Sequence, residues 1–124
     1  METEFKNKKL LIVEDDNETI TLLENILSTL GFDVETAFDG LQGINKITNN
    51  SYDLILTDLD MPILNGYDMI EKTYSLEKNL NIIIISSYTK DFVTKNLNND
   101  KISILTKPFN INELIELTKK TLLI

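Results

Sequence analysis

Several side chains that could act together in chemistry come directly after short apolar runs of this sequence. Carboxylates follow two of the runs, a hydroxyl follows a third, and a lysine follows a fourth. In chain order these residues are Glu14, Asp15, Asp16, Asp58, Asp60, Ser86 and Lys107. Carboxylates that converge without arginine or histidine repel one another, and a hard divalent cation with oxygen ligands relieves that repulsion.

Mg²⁺ suits such a set, because it binds one or two carboxylates and keeps several of its waters. A lysine beside the carboxylates indicates that a second anion enters the site. Carboxylate, metal, hydroxyl and lysine together are typical of phosphoryl transfer, in which a carboxylate can act as nucleophile while the cations offset the transferred charge. The sequence contains neither GxGxxG nor a Walker lysine loop, which disfavours a nucleotide-binding site.

The elements that must position these residues alternate along the chain. Continuous apolar runs at 10–13, 54–56, 82–85 and 102–105 are typical of strands buried on both faces of a parallel sheet, and 33–37 predicts a weaker strand near the sheet edge. Helical apolar spacing follows each strand. Five β/α repeats predict a three-layer, doubly wound α/β/α sandwich around a five-stranded parallel sheet. Ligands of such folds bind at the carboxyl ends of the strands, where the polar residues fall.

Helix boundaries are predicted from capping residues. Asn17 is the predicted N-cap of the first helix, and Gly31 is predicted to end it. Asn110, followed three residues later by Glu113, resembles the capping box of the last helix. Residues 92–97 predict a weak fourth helix.

The composition limits the class of protein. A chain of 124 residues predicts a single domain over residues 1–124, with no output domain. The chain has no cysteine, which excludes a disulfide scaffold, a zinc finger and thiol catalysis, and no histidine, which excludes Ser-His and Cys-His nucleophiles. A net charge of −8 without any arginine argues against direct binding to nucleic acid. No signal peptide or membrane-spanning run is seen, so we expect a cytoplasmic protein without membrane contacts.

Four motifs in register resemble the response-regulator receiver domain of two-component signalling. They are LIVEDD at 11–16, DLDMP at 58–62 with Gly66, ISS at 85–87 and KPF at 107–109. The resemblance covers essentially the whole chain. It implies the flavodoxin-like (βα)5 fold of chemotaxis regulators. It further implies a bacterial phosphoprotein, not an enzyme, that takes a phosphoryl group from a histidine kinase or phosphotransfer protein and switches conformation to control an output domain or protein.

The resemblance also implies roles for the motif residues. Asp58 is the implied phosphoacceptor. Asp15, Asp58 and the backbone carbonyl of Asp60 would bind Mg²⁺, with Glu14 helping through water. Self-phosphorylation from small donors, slow autodephosphorylation and formation of a homodimer on phosphorylation are further expectations.

Two more residues take implied roles at the phosphoryl group. Lys107 would bind a phosphoryl oxygen, and the hydroxyl of Ser86 would turn toward the group. The Lys107–Pro108 bond is expected to be cis. Asp16 is interpreted as a charge of the first helical turn, favoured by the helix dipole, instead of a metal ligand.

Three positions depart from the family pattern. Ile104 stands where the family has an aromatic switch residue, three positions before the lysine, so switching would use a different side chain. Ser87 stands where alanine is usual after the switch hydroxyl. Residues 98–101 replace a common Gly-Ala pair. The side chains of Asp60 and Tyr88 are expected to tune the attack of water on the phosphoryl group.

Two other functions are compatible with parts of the sequence. Asp58-Leu59-Asp60 after an apolar strand also resembles the nucleophile motif of haloacid-dehalogenase-type phosphatases, but Pro62 stands where Thr or Val would be sought and the chain is too short for a cap domain. Turnover of small phosphate esters would identify such an enzyme. A receiver-like interaction module that is never phosphorylated is the other alternative, and a phosphodonor assay would identify it.

Overall fold

The computed structural model describes residues 5–59, 61, 63–76, 80–87 and 100–122. Up to the fourth strand, strands and helices alternate among them as the apolar runs predict, and a helix follows the fifth strand. The strands are β1 (Lys9–Val13), β2 (Asp33–Ala37), β3 (Leu54–Asp58), β4 (Ile82–Ser86) and β5 (Ile102–Thr106). The helices are α1 (Asn17–Thr29), α2 (Gly40–Asn49), α3 (Gly66–Ser75) and α4 (Ile111–Leu122). The predicted helix at 92–97 lies outside the described residues.

The five strands form one parallel sheet in the order β2-β1-β3-β4-β5. All five residues of β4 are buried, as are four residues each of β1 and β3, because helices cover both faces of these central strands. β2, predicted as the weaker strand, is an edge strand and is mostly half-buried. The predicted doubly wound α/β fold is therefore confirmed.

Two apolar cores lie on opposite faces of the sheet. One contains side chains of α2 and α3, among them Ile47 and Met69, packed on Leu11, Ile55 and Ile84. The other contains side chains of α1 and α4, packed on the alternate residues of the same strands. This arrangement holds the strands rigidly from both sides, so the residues at their carboxyl ends have fixed positions.

Phe5 belongs to the second core, although the sequence pattern did not predict it there. Its side chain is fully buried and stacks on Phe32 with the ring centroids 4.5 Å apart. Gly31, predicted as a helix end, has a positive φ of 108° just after α1, and the backbone nitrogen of Lys6 would lie 3.2 Å from a Cβ at this position. Glycine thus provides both the left-handed turn and the room for the segment before β1.

Of the two predicted N-caps, one is found and one is wrong. Asn110 accepts a hydrogen bond from the backbone N–H of Glu113 at 2.9 Å, as predicted. Asn65, which was not predicted as a cap, caps α3. The prediction of Asn17 as the first N-cap is wrong by one residue, because Asp16 caps α1. None of the described helices combines the length and apolar character needed to cross a membrane.

Candidate functional site

The register of the sheet brings the predicted site residues to one edge. Asp58 ends β3 opposite Ile85, and Ser86 ends β4 opposite Thr106, so Lys107 follows directly beside it. Glu14 extends β1 by one residue and donates its backbone N–H to Ala37 at 3.0 Å. Four strand ends therefore place their polar side chains along the same carboxyl edge, as expected for a doubly wound sheet.

Three carboxylates form a cluster at this edge. Glu14, Asp15 and Asp58 each offer one carboxylate oxygen, and these oxygens lie within 4.8 Å of one another. Glu14 is buried with 4% exposure, Asp58 is half-buried and Asp15 is exposed. Oxygen donors this close, open to solvent on one side, suit a hard divalent cation.

Lys107 supplies the positive charge of the site. Its Nζ lies 3.4 Å from Oδ2 of Asp58, and its backbone N–H donates to the carbonyl of Ser86 at 2.8 Å. The other carboxylate oxygen of Asp58 accepts the backbone N–H of Leu59 at 2.7 Å. The predicted cis bond between Lys107 and Pro108 is present.

The buried carboxyl of Glu14 has an altered acidity. The pKa of Glu14 is raised from 4.5 to about 7, chiefly by burial and next by the negative charge of Asp58. The backbone N–H of Asp16, which donates to Oε1 of Glu14 at 3.2 Å, and the charge of Lys107 oppose this rise. The carboxylates thus crowd one crevice, and Lys107 offsets only part of their charge.

Asp16, the third acid of the run, turns away from the cluster. One of its carboxylate oxygens accepts both the backbone N–H of Thr19, at 3.1 Å, and the hydroxyl of the same residue. These two bonds lower the pKa of Asp16, the hydroxyl having the larger effect. The geometry supports the interpretation of Asp16 as a charge at the start of the first helix instead of a metal ligand, although Asp16 stands at the N-cap and not in the first turn. Thr19 itself was not predicted, and its Asp-x-x-Thr spacing is the pattern that could have identified it.

Glycines hold the segment after Asp58 close to the sheet. The backbone N–H of Gly66 donates to the carbonyl of Leu59 at 2.9 Å, and a Cβ on Gly66 would overlap the carbonyl oxygen of Asp58. Gly40, at the start of α2, meets the carbonyl of Leu64 in the same way. Gly66 belongs to the predicted motif, whereas Gly40 was missed, although the Asp39-Gly40 pair before a helix is a recognisable cap.

The other predicted positions are distributed as follows. The hydroxyl-bearing Ser86 is buried, with 2% exposure, and Ser87 is exposed. Ile104 is half-buried and packs against the core on the α2 and α3 side of the sheet. Three positions lie outside the described residues: Asp60, Pro62 and Tyr88.

Comparison with known proteins identifies the family. Residues 10–119 match the response regulator receiver domain. The chain belongs to this family. The transcriptional regulatory protein CpxR homolog of Haemophilus influenzae is 38% identical over 117 residues, which cover 92% of this receiver domain and 50% of that regulator. The chain therefore spans about half the length of this curated relative.

Solved receiver domains have the same fold. The receiver domain of the Francisella response regulator 1452 superposes with a TM-score of 0.85 at 30% identity, covering 94% of this chain and 97% of that one. The receiver domain of the sensor histidine kinase PA1611 from Pseudomonas aeruginosa PAO1 has a TM-score of 0.82 at 27% identity, with coverage of 93% and 97%. That structure has a magnesium ion coordinated in its active site cleft.

Proposed function

We propose that this receiver domain, comprising residues 1–124, accepts a phosphoryl group on Asp58 from the phosphohistidine of a sensor histidine kinase or a phosphotransfer protein. The observation that carries the proposal is the position of Asp58, which has Lys107 at 3.4 Å and carboxylate oxygens of Glu14 and Asp15 within 4.8 Å. A nucleophilic carboxylate needs such flanking groups, because a cation must offset the charge of the transferred group.

The cluster fits a single Mg²⁺. Glu14, Asp15 and Asp58 each place one carboxylate oxygen within 4.8 Å of the others, close enough for one ion that keeps several of its waters. Asp15, Asp58 and the backbone carbonyl of Asp60 would hold the ion, and Glu14 would bind through water. When bound, the ion neutralises charge on the phosphoryl oxygens. The magnesium in the PA1611 receiver domain supports this assignment.

The chain's own groups prepare the acceptor. The N–H of Leu59 holds Oδ1 of Asp58, at 2.7 Å, and Lys107 lies 3.4 Å from Oδ2. Oδ2 attacks phosphorus as the phosphorus–nitrogen bond to the donor imidazole breaks. Lys107 then moves from the carboxylate to a phosphoryl oxygen, and the hydroxyl of Ser86 turns to a second one. The leaving imidazole takes up a proton from solvent. These movements at the ends of β4 and β5 begin the conformational switch.

Further properties follow from this role. Small donors such as acetyl phosphate phosphorylate Asp58 without a kinase, and the product loses its phosphoryl group slowly to water. The switch controls an output domain or protein and favours a homodimer. The domain acts in the cytoplasm, where its phosphodonor acts, and it does not itself bind nucleic acid or membrane.

Incubation with acetyl phosphate tests the proposal. The parent protein should become phosphorylated with Mg²⁺ and remain unlabelled with EDTA. Continuous release of phosphate from small phosphate esters would instead indicate an enzyme of the haloacid-dehalogenase type. No labelling with either acetyl phosphate or a phosphorylated histidine protein would contradict the proposal and favour an interaction module.

A further inference from the structure

The first strand is followed by three consecutive acids, but only two of them join the cluster. Among the residues that the structure describes, the carboxylate group around Asp58 contains Glu14 and Asp15 and leaves out Asp16. Asp16 is exposed, follows Asp15 directly in the chain and caps the start of α1. Its hydrogen bonds direct its carboxylate toward the helix.

Thr19 holds Asp16 toward the helix. A single oxygen of Asp16 accepts both the backbone N–H and the hydroxyl of Thr19. The N–H bond is available to any residue at this position of a capped helix, whereas the hydroxyl bond needs Thr or Ser. Thr19 therefore adds a bond that the cap alone would not have.

The same cap orients a group of the site itself. The backbone N–H of Asp16 donates to Oε1 of Glu14 at 3.2 Å. Because the cap fixes the backbone of Asp16, it also fixes the direction of this N–H. Thr19 thus acts on the cluster in two ways. It keeps the carboxylate of Asp16 out of the cluster, and it helps to hold the backbone N–H that donates to Glu14.

We propose that Thr19 is a positioning residue that withholds the carboxylate of Asp16 and thereby keeps the site selective for Mg²⁺ over Ca²⁺. Ca²⁺ takes six to eight oxygen ligands in flexible geometry, whereas Mg²⁺ uses one or two carboxylates and keeps its waters. A fourth mobile carboxylate therefore favours Ca²⁺ more than Mg²⁺. This inference rests on the metal site of the proposed function.

Calorimetric titration of the metal-free protein with MgCl₂ and with CaCl₂ tests the inference. Thr19→Val keeps the shape of the side chain but removes the hydroxyl, so the ratio of Ca²⁺ to Mg²⁺ affinity should rise at least about threefold, or about 0.7 kcal/mol of differential binding. Thr19→Ser keeps a hydroxyl and should retain the parent ratio. The double variant Thr19→Val with Asp16→Asn should return to the parent ratio, because no additional carboxylate is released.

The outcomes separate this inference from the proposed function. A parent protein that binds neither ion would overturn the metal site, and the inference with it. A parent that binds Mg²⁺, with an unchanged affinity ratio in Thr19→Val, would overturn the role of Thr19 alone. A raised ratio that persists in the double variant would also overturn it, since the effect would then not come from the carboxylate of Asp16.

Discussion

Asp58 lies between one positive charge and two negative ones. Its ion pair with Lys107, at 3.4 Å, joins a side chain that is 37% exposed, and partly exposed pairs contribute only about 0–1 kcal/mol. Its repulsion of Glu14 acts in a buried crevice, where screening is weak, and it helps to raise the pKa of that residue. When Glu14 is ionised, the repulsion between Glu14 and Asp58 therefore exceeds the stabilisation from the ion pair between Lys107 and Asp58.

We predict that Asp58→Asn stabilises the metal-free domain by about 1 kcal/mol above about pH 7, since one pKa unit corresponds to about 1.4 kcal/mol. The amide oxygen of the variant can still accept the N–H of Leu59. The gain should shrink at lower pH, where Glu14 is protonated, and on addition of Mg²⁺. Urea unfolding with EDTA measures it. A metal-free variant less stable than the parent would mean that the bonds of Asp58 outweigh the crowding.

Glu14 makes the stability of the metal-free domain depend on pH. Its pKa is about 7 in the folded protein and 4.5 in the unfolded chain. Between these values the folded state keeps a proton that the unfolded state releases, so the free energy of unfolding falls as the pH rises and levels off above about pH 7. Asp16 and Glu35 have lowered pKa values, so their contributions are lost only at more acidic pH.

Urea unfolding with EDTA, at several pH values from about 4.5 to about 7, measures how the free energy of unfolding depends on pH. The parent should lose stability over this interval, and Glu14→Gln should not, because the variant carries no titrating group at this position. A slope of the same size in both proteins would assign the pH dependence to another residue.

For individual residues, the sequence was sufficient to place those with proposed roles in phosphoryl transfer. Asp58 and Lys107 could be placed because each follows an apolar run, and parallel strands end at a common edge. Thr19 was not placed, because its Asp-x-x-Thr spacing indicates a capping bond only when Asp16, and not Asn17, is taken as the N-cap. The prediction of Asn17 as N-cap is wrong because three acids and an asparagine in succession offer several equivalent caps.

At the scale of elements, the connection from β3 to α3 depends on glycine. A Cβ on Gly66 would overlap the carbonyl oxygen of Asp58 and lie 2.8 Å from Cα of Leu59, both of which are backbone atoms. A Cβ on Gly43, inside α2, would lie 2.7 Å from Sδ of Met69, the flexible end of a side chain. Neither glycine has a positive φ, so the two positions differ mainly in what the new atom would meet.

We predict that Gly66→Ala destabilises the domain by about 1–3 kcal/mol, the usual cost of overpacking, and slows phosphorylation because the backbone of Asp58 must shift. Gly43→Ala is the matched control. It should destabilise less than Gly66→Ala, since the nearest contacts of the new Cβ would be side-chain atoms, Sδ of Met69 at 2.7 Å and the methyl groups of Val13 at 3.2 Å, and alanine favours the helix by about 1 kcal/mol. Equal losses in both variants, by urea unfolding and phosphorylation rate, would show that the backbone contact at Gly66 has no special role.

The strands were predictable because continuous apolar runs of this length occur in sheets buried on both faces. The burial of the segment before β1 was not predictable from the sequence. Phe5 stands alone among polar residues, and a single apolar residue has no period, so its place in the core is seen only in the structure, from its burial and its stacking on Phe32.

For the whole molecule, the net charge is −8, and three of the carboxylates crowd the carboxyl edge of the sheet, where a bound cation should stabilise the entire fold. A ligand that binds only the folded state stabilises it by about 2.7 kcal/mol at a hundredfold excess over Kd. We predict that Mg²⁺ raises the melting temperature of the parent, followed by circular dichroism because the chain has no tryptophan.

Asp15→Asn should blunt this rise, since Asp15 belongs to the cluster. Asp33→Asn also removes one negative charge, but from an exposed residue at the start of β2, away from the carboxyl edge. The melting temperature of this variant should rise with Mg²⁺ as much as that of the parent. A melting temperature indifferent to Mg²⁺ in the parent would remove the metal site from the proposed function.

The identity of the phosphorylated residue tests the central claim most directly. Parent, Asp58→Asn and Asp33→Asn proteins are incubated with Mg²⁺ and a phosphorylated histidine protein, and fragment masses locate the phosphoryl group. We predict one acid-stable, hydroxylamine-sensitive group on Asp58 in the parent and in Asp33→Asn, and none in Asp58→Asn. Labelling of Asp58→Asn to the same extent as the parent, or a phosphoryl group located on another residue of the parent, would contradict the assignment of Asp58 as the acceptor.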